Sequence, residues 1–126
     1  MSDKKIVLAI DDNLQQLSEF KTMLGFRYDL RVVKAASEAI SFLNNNHADV
    51  ILLDIEMPYI SGFEFLDDIR RIPSYIDVPI IIVSGNTGHE FLEKARNSAV
   101  SSVLSKPVSS DALIDAIEKA YTELHK

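Results

Sequence analysis

Short apolar runs alternate with longer stretches of helical period along the whole chain. Ile6 to Ile10 is an apolar run of strand length; after it Leu14, Leu17, Phe20 and Leu24 fall on one helical face, and Gly25 stops the pattern. The second unit repeats the plan, with Leu30 to Val33 as a short strand and Ala39, Ile40 and Leu43 on a helix. Ser37 is its expected N-cap, and Asn44, Asn45 and Asn46 are its frayed end. Val50 to Leu53 predicts a third strand, followed by a loop with Pro58 and Gly62. The next helix turns Phe65, Leu66 and Ile69 inward until Pro73 prevents its continuation. Val78 to Val83 predicts a fourth strand, the Gly85 to Gly88 stretch a loop, and Phe91, Leu92 and Ala95 a helix. Ser102 to Leu104 stands where a fifth strand belongs. From Ser110 nearly to Lys126, Leu113, Ile117, Ala120, Tyr121 and Leu124 form one stripe, with Ile114 off it as a candidate partner contact.

Five strand–helix repeats imply right-handed crossovers and an α/β fold, a parallel sheet covered by helices on both faces. The first, third and fourth runs are near-continuous Ile, Val and Leu, as strands buried on both faces require, whereas the second alternates like an edge. Ligands of such sheets bind outside the carboxyl ends of the strands, where the strand order reverses. No linker or repeat interrupts the 126 residues, so residues 1–126 are expected to form a single domain.

Composition narrows the possible functions. There is no cysteine, which excludes thiolate metal sites and cysteine nucleophiles. Nineteen acidic against thirteen basic residues give a net charge of −6, the wrong sign for a grip on nucleic acid phosphates. No apolar run approaches the roughly 18 residues of a membrane span, and Met1 to Lys5 leads directly into the first strand without a signal-peptide layout. The expected location is cytoplasmic.

The polar residues at the predicted strand ends carry the chemistry. The first strand ends in Asp11 and Asp12, the third in Asp54, the fourth in Ser84, and the fifth in Lys106 and Pro107. In the flavodoxin-like order 2-1-3-4-5, with five helices, the first and third strands are neighbours, so their terminal carboxylates should lie roughly 5 Å apart. Carboxylates that close repel, and a proton, a cation or a lysine relieves them. Three aspartates and one lysine leave the charge that a divalent cation would neutralise, and an all-oxygen donor set suits Mg²⁺, or Mn²⁺. A cation, a lysine and a serine hydroxyl around one carboxylate can stabilise a transferring phosphoryl group, with Asp54 as the nucleophile that becomes an aspartyl phosphate.

Together these residues resemble the receiver domain of two-component response regulators. The resemblance rests on Asp11-Asp12-Asn13, Leu53-Asp54-Ile55-Glu56-Met57-Pro58, Gly62, Ser84-Gly85 and Lys106-Pro107, in that order and spacing over essentially the whole chain. It implies that Asp54 accepts a phosphoryl group from a phosphohistidine on a sensor histidine kinase or a histidine phosphotransfer domain. It also implies that Asp12 is a direct Mg²⁺ ligand, that Asp11 acts mainly through water, and that Asp54 and the backbone carbonyl of Glu56 complete the set. Lys106 would pair with the phosphoryl oxygens, and Ser84 would turn to hydrogen-bond them. The output surface implied for a downstream protein is the fourth helix, fifth strand and fifth helix, on a monomer or a dimer formed on phosphorylation. The resemblance further implies a signalling module that phosphorylates and dephosphorylates itself without turning over an external substrate.

The chain departs from the family pattern in two places. Val103 stands where receivers commonly carry an aromatic residue, and Ser98-Ala99-Val100 replaces a usual Gly-Ala pair. Glu56 and Asn86 sit where family members tune the lifetime of the phosphorylated state. Taken singly, each residue has a plainer reading: Asp11 and Asp12 as caps of the first helix, Asp54 as a loop-initiating residue, Lys106 as a surface lysine, Ser84 as a strand-end hydroxyl. His47, His89 and His125 lack metal-ligand spacing and read as solvent-facing, and Gly85 to Gly88 reads as a hinge rather than a nucleotide loop. Competing functions are a pseudo-receiver acting only by protein–protein interaction and a Mg²⁺-dependent aspartyl-phosphate phosphohydrolase. A flavodoxin-like electron carrier is a further alternative. The hydrolase would need a second catalytic aspartate two residues after its nucleophile, and the carrier a Ser/Thr-rich loop after the first strand.

Overall fold

The computed structural model describes residues 4–56, 62–85 and 88–124. Met57, Pro58, Asn86 and His125, named above, lie outside the described residues. Five strands, β1 (Ile6–Ile10), β2 (Asp29–Val33), β3 (Val50–Leu53), β4 (Ile80–Ser84) and β5 (Ser102–Ser105), form one parallel sheet in the order β2-β1-β3-β4-β5. Five helices connect and follow them: α1 (Leu14–Leu24), α2 (Ala36–Asn45), α3 (Gly62–Arg70), α4 (His89–Arg96) and α5 (Ser110–Leu124).

Because strand side chains alternate, the sheet feeds two apolar cores. Leu8, Ile10, Ile51, Leu53, Ile80 and Ile82 point to one, where Leu43, Phe65 and Ile69 from α2 and α3 meet them. Val7, Ala9, Val50, Leu52, Ile81 and Val83 point to the other, packed under Leu17, Phe20 and Leu24 of α1 and Leu113 and Ile117 of α5. Residues of β1, β3 and β4 other than Ile6 are buried, whereas β2 is only half-buried, as expected for an edge strand. Ile114, off the apolar stripe, is half-buried and packs part of its side chain against the second cluster. Val103, in the place of the aromatic, packs against the first.

Two predicted boundaries move for local reasons. The cap of α2 is Ala35 rather than Ser37, and no side chain caps it; the Lys34 N–H instead donates to the Glu38 carboxylate at 3.4 Å, reached from the first turn. Strand β4 begins at Ile80 rather than Val78. The Val78 carbonyl accepts from Arg70 at 2.6 Å, and Pro79 has no N–H to add to a ladder. Arg70 organises this end of the sheet. Its guanidinium also donates to the carbonyls of Tyr75, Ile76 and Ala99, tying the segments before β4 and β5 together.

Gly62, the first residue of α3, lies so close to Ile55 that a Cβ there would fall 2.4 Å from the Ile55 backbone. Only glycine fits this contact, which clamps the start of α3 onto the segment that follows β3.

Candidate functional site

Backbone hydrogen bonds of the sheet set the positions of the candidate residues. Register pairs Ile10 with both Val33 and Leu53, so the next residue on each inner strand emerges at the same height. The Asp11 N–H donates to Val33 (3.2 Å), the Asp54 N–H to Ile10 (3.0 Å) and the Lys106 N–H to Ser84 (2.8 Å). Each chemistry-bearing side chain is thus held by its own backbone at the carboxyl edge of the sheet. The Lys106–Pro107 peptide is cis.

Asp11, Asp12 and Asp54 each offer a carboxylate oxygen, and the three oxygens lie within 4.8 Å of one another. Asp11 is 1% exposed and Asp54 7%, while Asp12 faces solvent. Lys106 bridges the buried pair, its Nζ 2.8 Å from Asp11 and 3.6 Å from Asp54. The remaining carboxylate lone pairs are partly met by backbone: the Asn13 N–H donates to Asp11 at 2.9 Å and the Glu56 N–H to Asp54 at 3.0 Å. Helix α1 is capped by Asn13, whose side chain accepts from the Gln16 N–H, so neither Asp11 nor Asp12 is its N-cap.

The electrostatics follow from this crowding. Burial raises the Asp54 carboxyl above the ordinary range, and the neighbouring Asp11 charge adds to it, against the Glu56 N–H and Lys106, which favour the anion. Burial alone would lower Lys106, but its hydrogen bond to Asp11 and the charges of Asp54 and Asp11 outweigh it and hold the ammonium above the ordinary lysine range. Three carboxylates against one ammonium leave the cluster net negative, with oxygen donors on one side and a fixed cation on the other. That donor set suits a hard divalent cation that retains waters.

Ser84, at the end of β4, is 1% exposed, and its Oγ donates to Glu56 Oε1 at 3.1 Å. The structure therefore brings Lys106 against Asp11 and Asp54, places the Asp12 carboxylate within 4.8 Å of both, and joins Ser84 to Glu56 at the same edge. Sequence spacing does not reveal the Ser84–Glu56 contact, nor Asn13 as the cap. His47 and His89 are exposed, and among the described residues they pair with Asp49 and Glu93 respectively.

Comparison with known proteins points the same way. Residues 7–118 match the family described as the response regulator receiver domain. The chain is 30% identical to the sensor histidine kinase RcsC of Escherichia coli K12 over 115 residues, which are 89% of this chain and 12% of that protein. It is similar to the receiver domain of Francisella response regulator 1452, with a TM-score of 0.84 and 30% identity over 95% of this chain and 98% of that one. The CheY-like receiver domain protein of Methanospirillum hungatei JF-1 shares the fold, with a TM-score of 0.86 over 96% of both chains at 24% identity. The chain spans 12% to 25% of the length of the first curated relatives it matches.

Proposed function

The chain belongs to the response regulator receiver domain family and is a phosphoacceptor module of two-component signalling, and from that premise we propose Asp54 as the residue that takes the phosphoryl group. The observation that carries the assignment is the arrangement around it: a buried carboxylate within reach of two further aspartates and 3.6 Å from Lys106, at the carboxyl edge of a parallel sheet.

The donor in this reading is a phosphohistidine of a kinase or a histidine phosphotransfer domain. The N–P bond of the donor breaks as an Asp54 Oδ–P bond forms, and the imidazole leaves with the electron pair of the broken bond. Asp54 is the nucleophile because both its oxygens are already oriented, one by the Glu56 N–H and the other toward Lys106. Lys106 supplies fixed positive charge for the phosphoryl oxygens without reorganising, since Asp11 already anchors its ammonium. Asp11, Asp12, Asp54 and the Glu56 carbonyl are the residues that would hold Mg²⁺, or Mn²⁺. When bound, the ion would offset the negative charge of the incoming phosphoryl group. Ser84 is assigned the hydrogen bond to the transferred phosphoryl, which would alter the strand-end conformation and hence the surface of α4, β5 and α5.

Receiver domains are signalling domains rather than conventional enzymes, and among the described residues no helix is long and apolar enough to cross a membrane. We further read residues 1–126 as one such domain acting in the cytoplasm. It catalyses only its own phosphorylation and dephosphorylation, as a monomer or a phosphorylation-dependent dimer, and passes the signal to a protein partner without contacting nucleic acid. The pseudo-receiver and phosphohydrolase readings are not favoured, because acceptor, acidic pair and lysine are all present and no second aspartate stands two residues after either acid position. Intact mass after incubation with acetyl phosphate and Mg²⁺ tests the proposal: one phosphoryl adduct is expected, absent with a chelator and in Asp54→Asn. An adduct that persists in Asp54→Asn would overturn the assignment.

A further inference from the structure

We propose that Glu56 is a latch that holds Ser84 away from the phosphoryl position in the resting protein, so that phosphorylation must break the Ser84–Glu56 hydrogen bond before the hydroxyl can turn. The inference rests on the proposed role of Asp54 and Ser84 and deepens it.

The Ser84 Oγ–H is directed at Glu56 Oε1, 3.1 Å away, although Asp54 is the acceptor it would have to serve. A hydroxyl has one proton, so it donates to Glu56 or to a phosphoryl oxygen but not to both. The backbone of Glu56 is at the same time pinned to the acceptor, since its N–H donates to Asp54 Oδ1 at 3.0 Å. The residue that restrains Ser84 is thereby attached to the carboxylate that reacts, and it carries a negative charge that a phosphoryl group on Asp54 would repel. Release of the hydroxyl and arrival of the phosphoryl group are therefore coupled through a single side chain. Ser84 is buried, while Glu56 reaches it from the exposed rim, so the latch can swing outward without opening the core. Glu56 is a positioning residue in this scheme: it acts through Ser84 and not on the phosphoryl group.

Loss of the latch should tighten binding of a phosphoryl mimic, because the resting state no longer holds the serine proton. Removal of the Glu56 charge alone would have the same sign, and a double-mutant cycle separates the two causes. The affinity for beryllofluoride, in the presence of Mg²⁺, is measured by fluorine NMR titration for the wild type, Glu56→Ala, Ser84→Ala and the double variant. Glu56→Ala is expected to tighten binding roughly three- to tenfold in the Ser84 background, the range of one ordinary intramolecular hydrogen bond, and to lose most of that gain in the Ser84→Ala background. Glu56→Gln, which keeps an acceptor oxygen without the charge, should fall between wild type and Glu56→Ala. In metal-free protein the Hα–Hβ couplings of Ser84 should differ between wild type and Glu56→Ala, reporting a changed rotamer distribution. An effect of Glu56→Ala that is equal in both backgrounds, zero included, overturns the latch. If wild-type protein does not bind beryllofluoride at all, the receiver assignment of the site fails and the latch fails with it.

Discussion

Replacing Asp54 by asparagine in metal-free protein should make the fold more stable, although it removes the residue assigned the central chemistry. At an effective dielectric of about 20, two carboxylates no more than 4.8 Å apart repel by at least roughly 3.5 kcal/mol. Asp54 has two such neighbours, of which Asp12 is exposed and therefore more strongly screened. Lys106, 3.6 Å away, returns roughly 4.6 kcal/mol on the same scale. Burial of the Asp54 charge adds a further cost that an amide of the same shape avoids. The carbonyl of the substituted side chain can still accept from the Glu56 N–H. The balance favours the neutral side chain by about 1–3 kcal/mol. For a chain of this length that is a rise in Tm of roughly 4 °C per kcal/mol. Urea and thermal unfolding of both proteins with a chelator present measure the difference directly. Mg²⁺ should then narrow it, because a ligand of the folded state stabilises the protein that binds it more tightly. A metal-free Asp54→Asn protein that is equally stable or less stable would refute the claim that the acidic cluster is under electrostatic strain.

Other outcomes follow from the same contacts. The folded protein holds the Asp54 proton more tightly than the unfolded chain does, so this residue's favourable contribution is present at low pH. It is lost as pH rises from the unfolded value of about 3.9 through the raised folded value. The stability gap between wild type and Asp54→Asn should accordingly open from zero near pH 3 toward neutrality, and a gap independent of pH would contradict it. Lys106→Met leaves Asp11 buried without its partner and should cost about 2–4 kcal/mol in chelator, partly recovered when Asp54→Asn is added. Gly62→Ala drives a Cβ into the Ile55 backbone and should cost about 2–3 kcal/mol by urea unfolding, and slower phosphorylation should accompany it because the displaced segment adjoins Asp54. Tyr28→Phe removes a 2.6 Å hydrogen bond to Glu118 at the opposite end of β2 and should cost about 1 kcal/mol while leaving phosphorylation unchanged.

The site is legible in the sequence because a parallel sheet turns order along the chain into position in space. Asp11, Asp54, Ser84 and Lys106 each sit at or just past the end of an apolar run, and runs buried on both faces are distinctive enough to count from. The backbone hydrogen bonds that hold these residues are those of the sheet itself, so no special loop geometry intervenes. What stays hidden depends on long side chains crossing between elements. Arg70 lies on a helix whose polar positions look solvated, yet its two terminal guanidinium nitrogens bind carbonyls as far as 29 residues away. Glu56 is marked in the sequence by its place two residues after Asp54, but nothing there points its side chain to Ser84, 28 residues further on. The start of α2 is misleading because a serine is a common cap, whereas here Glu38 reaches back to Lys34 and Ala35 takes the cap position.

The central claim is that the phosphoryl group is carried by Asp54 and by neither of the aspartates beside it. Borohydride reduces an acyl phosphate to the alcohol, so protein phosphorylated with acetyl phosphate and Mg²⁺, then reduced and digested, should yield a peptide with homoserine in place of Asp54. Homoserine in place of Asp11 or Asp12, with Asp54 intact, would contradict the account.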